Sequence, residues 1–201
     1  MPEVKSTVLF DLYGTLIYLK ENRRPYMRLC DSKPTRSRLR ESLVVDANSA
    51  TEFCHVLEIP IPEEIEEIEF DLQRDIASAT TYDDTMSTLE YLKGKNIQLG
   101  LISNLASPYR QPCDTLGLNQ FFDATVFSCD EGVAKPDPKI YQIALARLNA
   151  DPSTTLMVGD SLRCDVEGPA SYGIRSILLD RSAHASDSLT LRSLNDLKSV
   201  L

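Results

Sequence analysis

The chain has 201 residues, a formal net charge of -9 at pH 7 and 42% hydrophobic residues. That length accommodates one sizeable core plus an insertion, and the acidic balance argues against a general nucleic-acid binder, because phosphate backbones are gripped by clustered Lys and Arg. No run reaches the roughly 18 apolar residues of a membrane span, and Met1-Pro2-Glu3-Val4-Lys5 lacks the charged-then-apolar order of a secretory leader, so the expected setting is cytoplasmic, away from membranes, and the expected partner a small anionic molecule.

Thr7 to Phe10 is a β-branched and aromatic run, too short for a helix and closed by Gly14, which predicts a buried strand with Asp11 at its carboxyl end. From Tyr18 to Thr85 the pattern becomes charged and helical. This predicts an all-helical insert over 18–85 that splits a core made of 1–17 and 86–201. Its first part is basic, with Arg23, Arg24, Arg28, Lys33, Arg36, Arg38 and Arg40. A short helix over Thr51 to Leu57 holds His55 in a structural role. From Pro62 to Ala79, Ile65, Ile68, Leu72 and Ile76 recur at spacings of three and four, the stripe of an amphipathic helix. Pro62 and Glu63, Glu64, Glu66 and Glu67 suit its start, and the acidic run reads as a solvated face.

Beyond the insert, helices and strands alternate. The pattern predicts helix Asp84 to Gly94, strand Ile97 to Ile102, helix Pro108 to Leu116, strand Thr125 to Phe127 and helix Pro138 to Leu148. Strand Leu156 to Val158, helix Asp165 to Tyr172, strand Ser176 to Leu179 and a closing helix Leu194 to Val200 follow, with a loop over Arg181 to Ser188. Strands separated by helical stretches imply right-handed crossovers and a parallel sheet. The fold class is therefore α/β, a doubly wound parallel sheet with a small all-helical cap.

Five cysteines (Cys30, Cys54, Cys113, Cys129, Cys164) without a CxxC pair indicate reduced thiols rather than a disulfide framework or zinc site. With only His55 and His184, a polyhistidine metal site or a Ser/His/Asp triad is hard to assemble. Chemistry then rests on carboxylates, hydroxyls and lysine. In open parallel sheets active sites lie beyond the carboxyl ends of the strands, so the polar residues after each strand can be pooled. They are Asp11, then Ser103 and Asn104, then Lys135, then Asp160 and Asp165.

The four segments DLYGTL at 11–16, LISN at 101–104, KPDPKIY at 135–141 and GDSLRCD at 159–165 resemble, in order and spacing, the motifs of the haloacid dehalogenase-like hydrolase superfamily. The insert resembles the helical cap of its subfamily I. The resemblance implies that Asp11 attacks the substrate to form an aspartyl intermediate, and that Ser103 and Lys135, helped by Asn104, hold the transferring group, with Tyr13 and Thr15 beside it. It further implies Mg²⁺ held by Asp11, Asp160 and the carbonyl of Tyr13, with Asp165 as a direct or supporting partner.

Phosphatases of this superfamily carry a second aspartate two positions after the nucleophile, where this chain has Tyr13. Members similar to 2-haloacid dehalogenases carry tyrosine there, since a halide leaves without a proton, but they have Ser and Asn in place of Gly159-Asp160. Loss of a general acid costs roughly 10²- to 10⁴-fold in rate, less for an acyl or aryl phosphate whose leaving group is acidic. The expected function is a Mg²⁺-dependent phosphohydrolase of reduced or unusual activity. The alternatives are a dehalogenase-type hydrolase and a binding protein without turnover.

Overall fold

Strand β1 (Thr7–Phe10) runs through the middle of a six-stranded sheet in the computed structural model of the chain, which describes residues 6–29, 40–182 and 190–201. The other strands of this sheet are β4 (Gln98–Ser103), β5 (Ala124–Phe127), β6 (Thr155–Gly159), β7 (Arg175–Leu179) and β8 (Thr190–Leu191). The strand order is β5-β4-β1-β6-β7-β8, and every pairing in the sheet is parallel.

Side chains alternate along β1, so Val8 and Phe10 enter one layer and Leu9 the other. In the first layer they meet Leu89 and Leu92 of helix Thr85–Gly94 together with Leu194 and Leu197. In the second, Leu9 meets Ile140, Ala144 and Leu145 of helix Pro138–Leu148. A strand covered on both faces must be apolar at every position, and Val8, Leu9 and Phe10 have no exposed surface.

Between β1 and β4 the chain leaves the sheet through a two-stranded antiparallel ribbon, β2 (Ile17–Leu19) with β3 (Ala79–Thr81). The sequence reading, an all-helical segment, contains neither strand: each has three residues, and their pairing spans about sixty positions, so no local signal marks it. Beyond the ribbon, Phe53 and Cys54 of helix Ala50–Val56 pack with Ile68, Leu72 and Ile76 of helix Ile65–Ala77 in a third apolar cluster. The acidic run at the start of that second helix, Glu63, Glu64, Glu66 and Glu67, is exposed, and basic side chains lie beside it. Arg28 reaches Asp71 at 2.5 Å and Glu67 at 3.3 Å, and Arg23 reaches Asp71 at 3.3 Å. Lys33, Arg36, Arg38, Cys30, His184 and the loop positions after Ser182 lie outside the described residues.

Three helical readings require correction, and the first, helix Pro108 to Leu116, is a 3₁₀ turn, Ser107–Arg110, running into a short helix, Gln111–Thr115. The stretch expected as helix Asp165 to Tyr172 is a π-helical turn, Leu162–Glu167, followed by a short helix, Gly168–Ala170. Ser161 caps that turn by accepting from the Cys164 amide, so the turn begins earlier and Asp165 lies inside it rather than at its start. The closing segment Leu194–Ser199 is a 3₁₀ helix. Among the described residues no helix is long and apolar enough to cross a membrane.

Asp84, which follows the ribbon, fastens it to the end of the chain. Its carboxylate accepts from both Arg181 guanidinium nitrogens at 2.9 and 3.0 Å, from Ser193 Oγ at 2.7 Å and from the Leu194 amide at 2.9 Å. Burial opposes its charge, but these donors outweigh burial and hold the carboxyl below the usual range. Removing it strands a partly buried guanidinium and a buried amide, so Asp84→Ala should lose about 2–4 kcal/mol in urea denaturation at pH 7. A loss within about 0.5 kcal/mol, the range of a neutral surface substitution, would contradict this role.

Candidate active site

Asp11 continues the ladder of β1 by donating its amide to the Val158 carbonyl at 3.0 Å, and its side chain leaves the sheet between the ends of β4 and β6. Only 7% of it is exposed. Lys135 reaches the same point from the loop before helix Pro138–Leu148 and is 5% exposed. Its three hydrogens are all used: Nζ donates to Asp11 Oδ1 at 2.7 Å, to Asp165 Oδ1 at 2.7 Å and to the Ile102 carbonyl at 2.9 Å. Burial works against the lysine's charge, but Asp11 and Asp165 together outweigh it and raise its pKa.

The other residues singled out by the sequence converge here, with differing engagement. Ser103 Oγ donates to Asp11 Oδ1 and Thr15 Oγ1 to Asp11 Oδ2, each at a long 3.4 Å. Asn104 turns elsewhere, toward the backbone of Lys135. It donates from Nδ2 to the Lys135 carbonyl and accepts the Lys135 amide at Oδ1, both at 2.8 Å, and so clamps the lysine's loop. Asp165 Oδ2 accepts the Ser161 amide at 3.0 Å. Asp160 is exposed at the rim. Acceptor oxygens of Asp11, Asp160 and Asp165 all lie within 4.8 Å of one another.

Two glycines make that approach possible. Gly14 has φ +84°, and a Cβ there would lie 2.1 Å from Asp160 Oδ2; a Cβ at Gly159 would lie 2.3 Å from Asp165 Cγ. Buried itself and with two carboxylates this close, Asp11 does not titrate normally. Burial pushes its carboxyl up to about 6; Lys135 pulls down, while Asp165 and Asp160 push further up. Burial and Asp165 also raise Asp160.

Tyr13 takes no part in this cluster through its hydroxyl. The hydroxyl donates to the Tyr109 carbonyl at 2.9 Å, the two rings meet edge to face at 6.0 Å, and Tyr109 in turn donates to Asp75 Oδ2 at 3.0 Å. Burial, reinforced by Cys113 and Asp75, raises the Tyr13 pKa far above the tyrosine range. Asp75 is fully buried and also accepts the Arg23 and Arg24 amides at 2.8 and 3.3 Å. Sequence reasoning passed over Asp75 and Tyr109. A signal existed for Asp75: it lies three residues after Leu72 and seven after Ile68, on the apolar face of its helix. Two cavities flank the cluster and share Asn104, one of about 490 Å³ bounded by Tyr13 and Leu105, the other of about 760 Å³ bounded by Lys135 and Arg163.

Comparison with known proteins decides the family. The sequence model of haloacid dehalogenase-like hydrolases matches residues 5–173. This chain belongs to the haloacid dehalogenase-like hydrolase family. Among relatives, glyceraldehyde 3-phosphate phosphatase of Methanothermobacter thermautotrophicus is 35% identical over 100 residues, covering 49% of this chain and 44% of that protein. The chain thus matches less than half of that relative's length. The crystal structure of a phosphatase of the family from Thermococcus onnurineus superposes with a TM-score of 0.68 at 26% identity, covering 97% of each chain. That of 2-haloacid dehalogenase from Pseudomonas syringae pv. Tomato superposes equally, with a TM-score of 0.68 at 24% identity and 98% of each chain, and shares the fold.

The charge balance yields a measurable slope. Asp11 at about 6 lies above its ordinary 3.8, so the folded chain holds this proton more tightly than the unfolded one. The stability tied to Asp11 is therefore present at low pH and lost as pH rises from about 4 through 6. With a chelator present, Asp11→Asn should gain on the parent by on the order of 3 kcal/mol between pH 4 and 7. A stability difference that stays flat with pH in denaturant titrations would contradict the assignment.

Proposed function

We propose that this chain is a Mg²⁺-dependent phosphohydrolase that transfers the phosphoryl group of a small phosphorylated molecule to Asp11 and then to water. The convergence of Asp11, Asp160 and Asp165 around Lys135 carries this reading. Three carboxylates against one ammonium leave an excess of about two negative charges, the condition that a divalent cation with oxygen ligands relieves. The elevated pKa of Asp11 and the glycine at position 14, which leaves room for Asp160, fit such an ion. Asp11, Asp160 and the Tyr13 carbonyl would hold it, with Asp165 behind them, and it would neutralise charge on the transferring group.

Asp11 Oδ2 carries only the long contact from Thr15 and is the oxygen available for attack. Its bond to phosphorus forms as the ester oxygen departs, and water then cleaves the resulting acyl phosphate to release phosphate and restore the carboxylate. Lys135 balances the nucleophile's charge, and Ser103 holds an oxygen of the transferring group. Residues 18–85 act as the cap over a core of 1–17 and 86–201, in a cytoplasmic enzyme. The phosphatase relatives support phosphoryl transfer rather than another hydrolysis.

A second reading, a dehalogenase, is favoured by Tyr13 alone, and the acidic cluster weighs against it. The two separate in one set of assays. Phosphate release from acetyl phosphate should require Mg²⁺ and fall to background in Asp11→Asn, while Tyr13→Asp should speed an alkyl phosphate by roughly 10- to 100-fold by restoring a carboxylic acid. Metal-independent halide release from 2-chloropropionate would overturn the phosphohydrolase reading, and no turnover of any substrate would leave a binding protein.

A further inference from the structure

Resting on the phosphohydrolase reading, we propose that the site takes aryl phosphates, monoesters whose leaving group is a phenol on an aromatic ring. The cavity of about 490 Å³ opens directly beside the reacting end of β1 and β4: Tyr13 and Gly14 follow Asp11 by two and three residues, and Asn104 and Leu105 follow Ser103. Its other walls include Tyr18, Tyr26 and Tyr109. It has about three times the roughly 150 Å³ that holds one benzene, room for a leaving group of one or two rings.

Its aromatic surface is rigid. Tyr13 and Tyr109 are fixed edge to face and by the hydroxyl-to-carbonyl bond. Tyr18 packs against Tyr82 with ring centroids 4.8 Å apart and planes tilted by 39°, and Tyr82 is covered by the Arg181 guanidinium at 3.6 Å. Such a surface offers stacking at little ordering cost. The polar side chains on these walls are Asn22, Arg24, Ser42 and Asn104, and Asn104 is paired with the Lys135 backbone.

The same geometry suits the bond broken. Position 13 supplies no carboxylic acid, and its hydroxyl hydrogen is committed to Tyr109. The Asp11–phosphorus bond forms, the phosphorus–aryl oxygen bond breaks, and the electron pair leaves with a phenolate that takes its proton from bulk water after release. Water next attacks the acyl phosphate, giving inorganic phosphate and the free carboxylate. An alkoxide from a sugar or glycerol ester would need that proton during the step itself.

The test compares kcat/KM for 1-naphthyl phosphate and glycerol 3-phosphate with Mg²⁺, in the parent and in Tyr18→Ser, a change at a residue 37% exposed. The aryl ester should exceed the glycerol ester by roughly 100-fold or more, and Tyr18→Ser should reduce that ratio by roughly 5- to 20-fold. Equal or faster cleavage of glycerol 3-phosphate, or a ratio unmoved by Tyr18→Ser, overturns the aryl assignment while phosphohydrolysis stands. If neither ester is cleaved, the phosphohydrolase reading fails, and calorimetry with phenylphosphonate and 2,3-dihydroxypropylphosphonate judges the pocket. Tighter binding of the phenyl compound, weakened in Tyr18→Ser, upholds an aromatic ligand, and equal binding overturns it.

Discussion

A lysine ammonium buried at the end of a parallel sheet is the constraint around which this chain is arranged. An isolated ammonium in an apolar interior is prohibitively costly, so Lys135 can stay 5% exposed only where acceptors meet every hydrogen. The sheet provides them from three chain-distant places: Asp11 beyond β1, the Ile102 carbonyl near the end of β4, and Asp165 beyond β6. Conversely, two carboxylates this deeply buried depend on the same lysine. Asn104 completes the arrangement by gripping both backbone atoms of Lys135, which fixes where the ammonium can reach. The charges do not cancel, however: three carboxylates converge on one ammonium.

The segment beyond the ribbon is tied to this centre by a polar chain. Asp75, on the buried face of helix Ile65–Ala77, accepts from Tyr109; Tyr109 accepts from Tyr13; Tyr13 lies two residues from Asp11. The side chain that differs from the phosphatase pattern thus has a structural occupation. It holds the loop after Asp11 against the helical segment, and it presents its ring to the cavity. Tyr13 shares the aromatic lining with Tyr18, Tyr26 and Tyr109 while leaving its position without a carboxylic acid, and in the proposed reaction both features favour an aryl leaving group.

How far the sequence could be read follows from the range of each signal. Helix Pro138–Leu148 agrees with its expected bounds because its determinants are adjacent: the Asp137 side chain caps it, Pro138 fits its first turn, and Asn149 ends it in a left-handed conformation. Strand β1 was legible because a strand covered on both faces must be continuously apolar. The ribbon was not, since each strand is three residues long and its partner lies about sixty positions away. The gathering of Asp11, Ser103, Lys135, Asp160 and Asp165 followed from a topological rule about strand ends, whereas the orientation of Asn104 and the link from Tyr13 to Asp75 depend on side-chain geometry no spacing encodes. The sequence marks Arg28 only as part of a basic stretch, and its pairing with Glu67 and Asp71 joins elements about forty residues apart.

The most direct measurement of the central claim is calorimetric titration of the parent chain and Asp160→Asn with Mg²⁺ near pH 6, in two buffers of different ionisation heat. The account predicts one saturable site in the parent, binding coupled to proton release as Asp11 gives up its proton, and loss or strong weakening in Asp160→Asn. Absence of binding in the parent, or binding that Asp160→Asn leaves unchanged and that releases no proton, would contradict it.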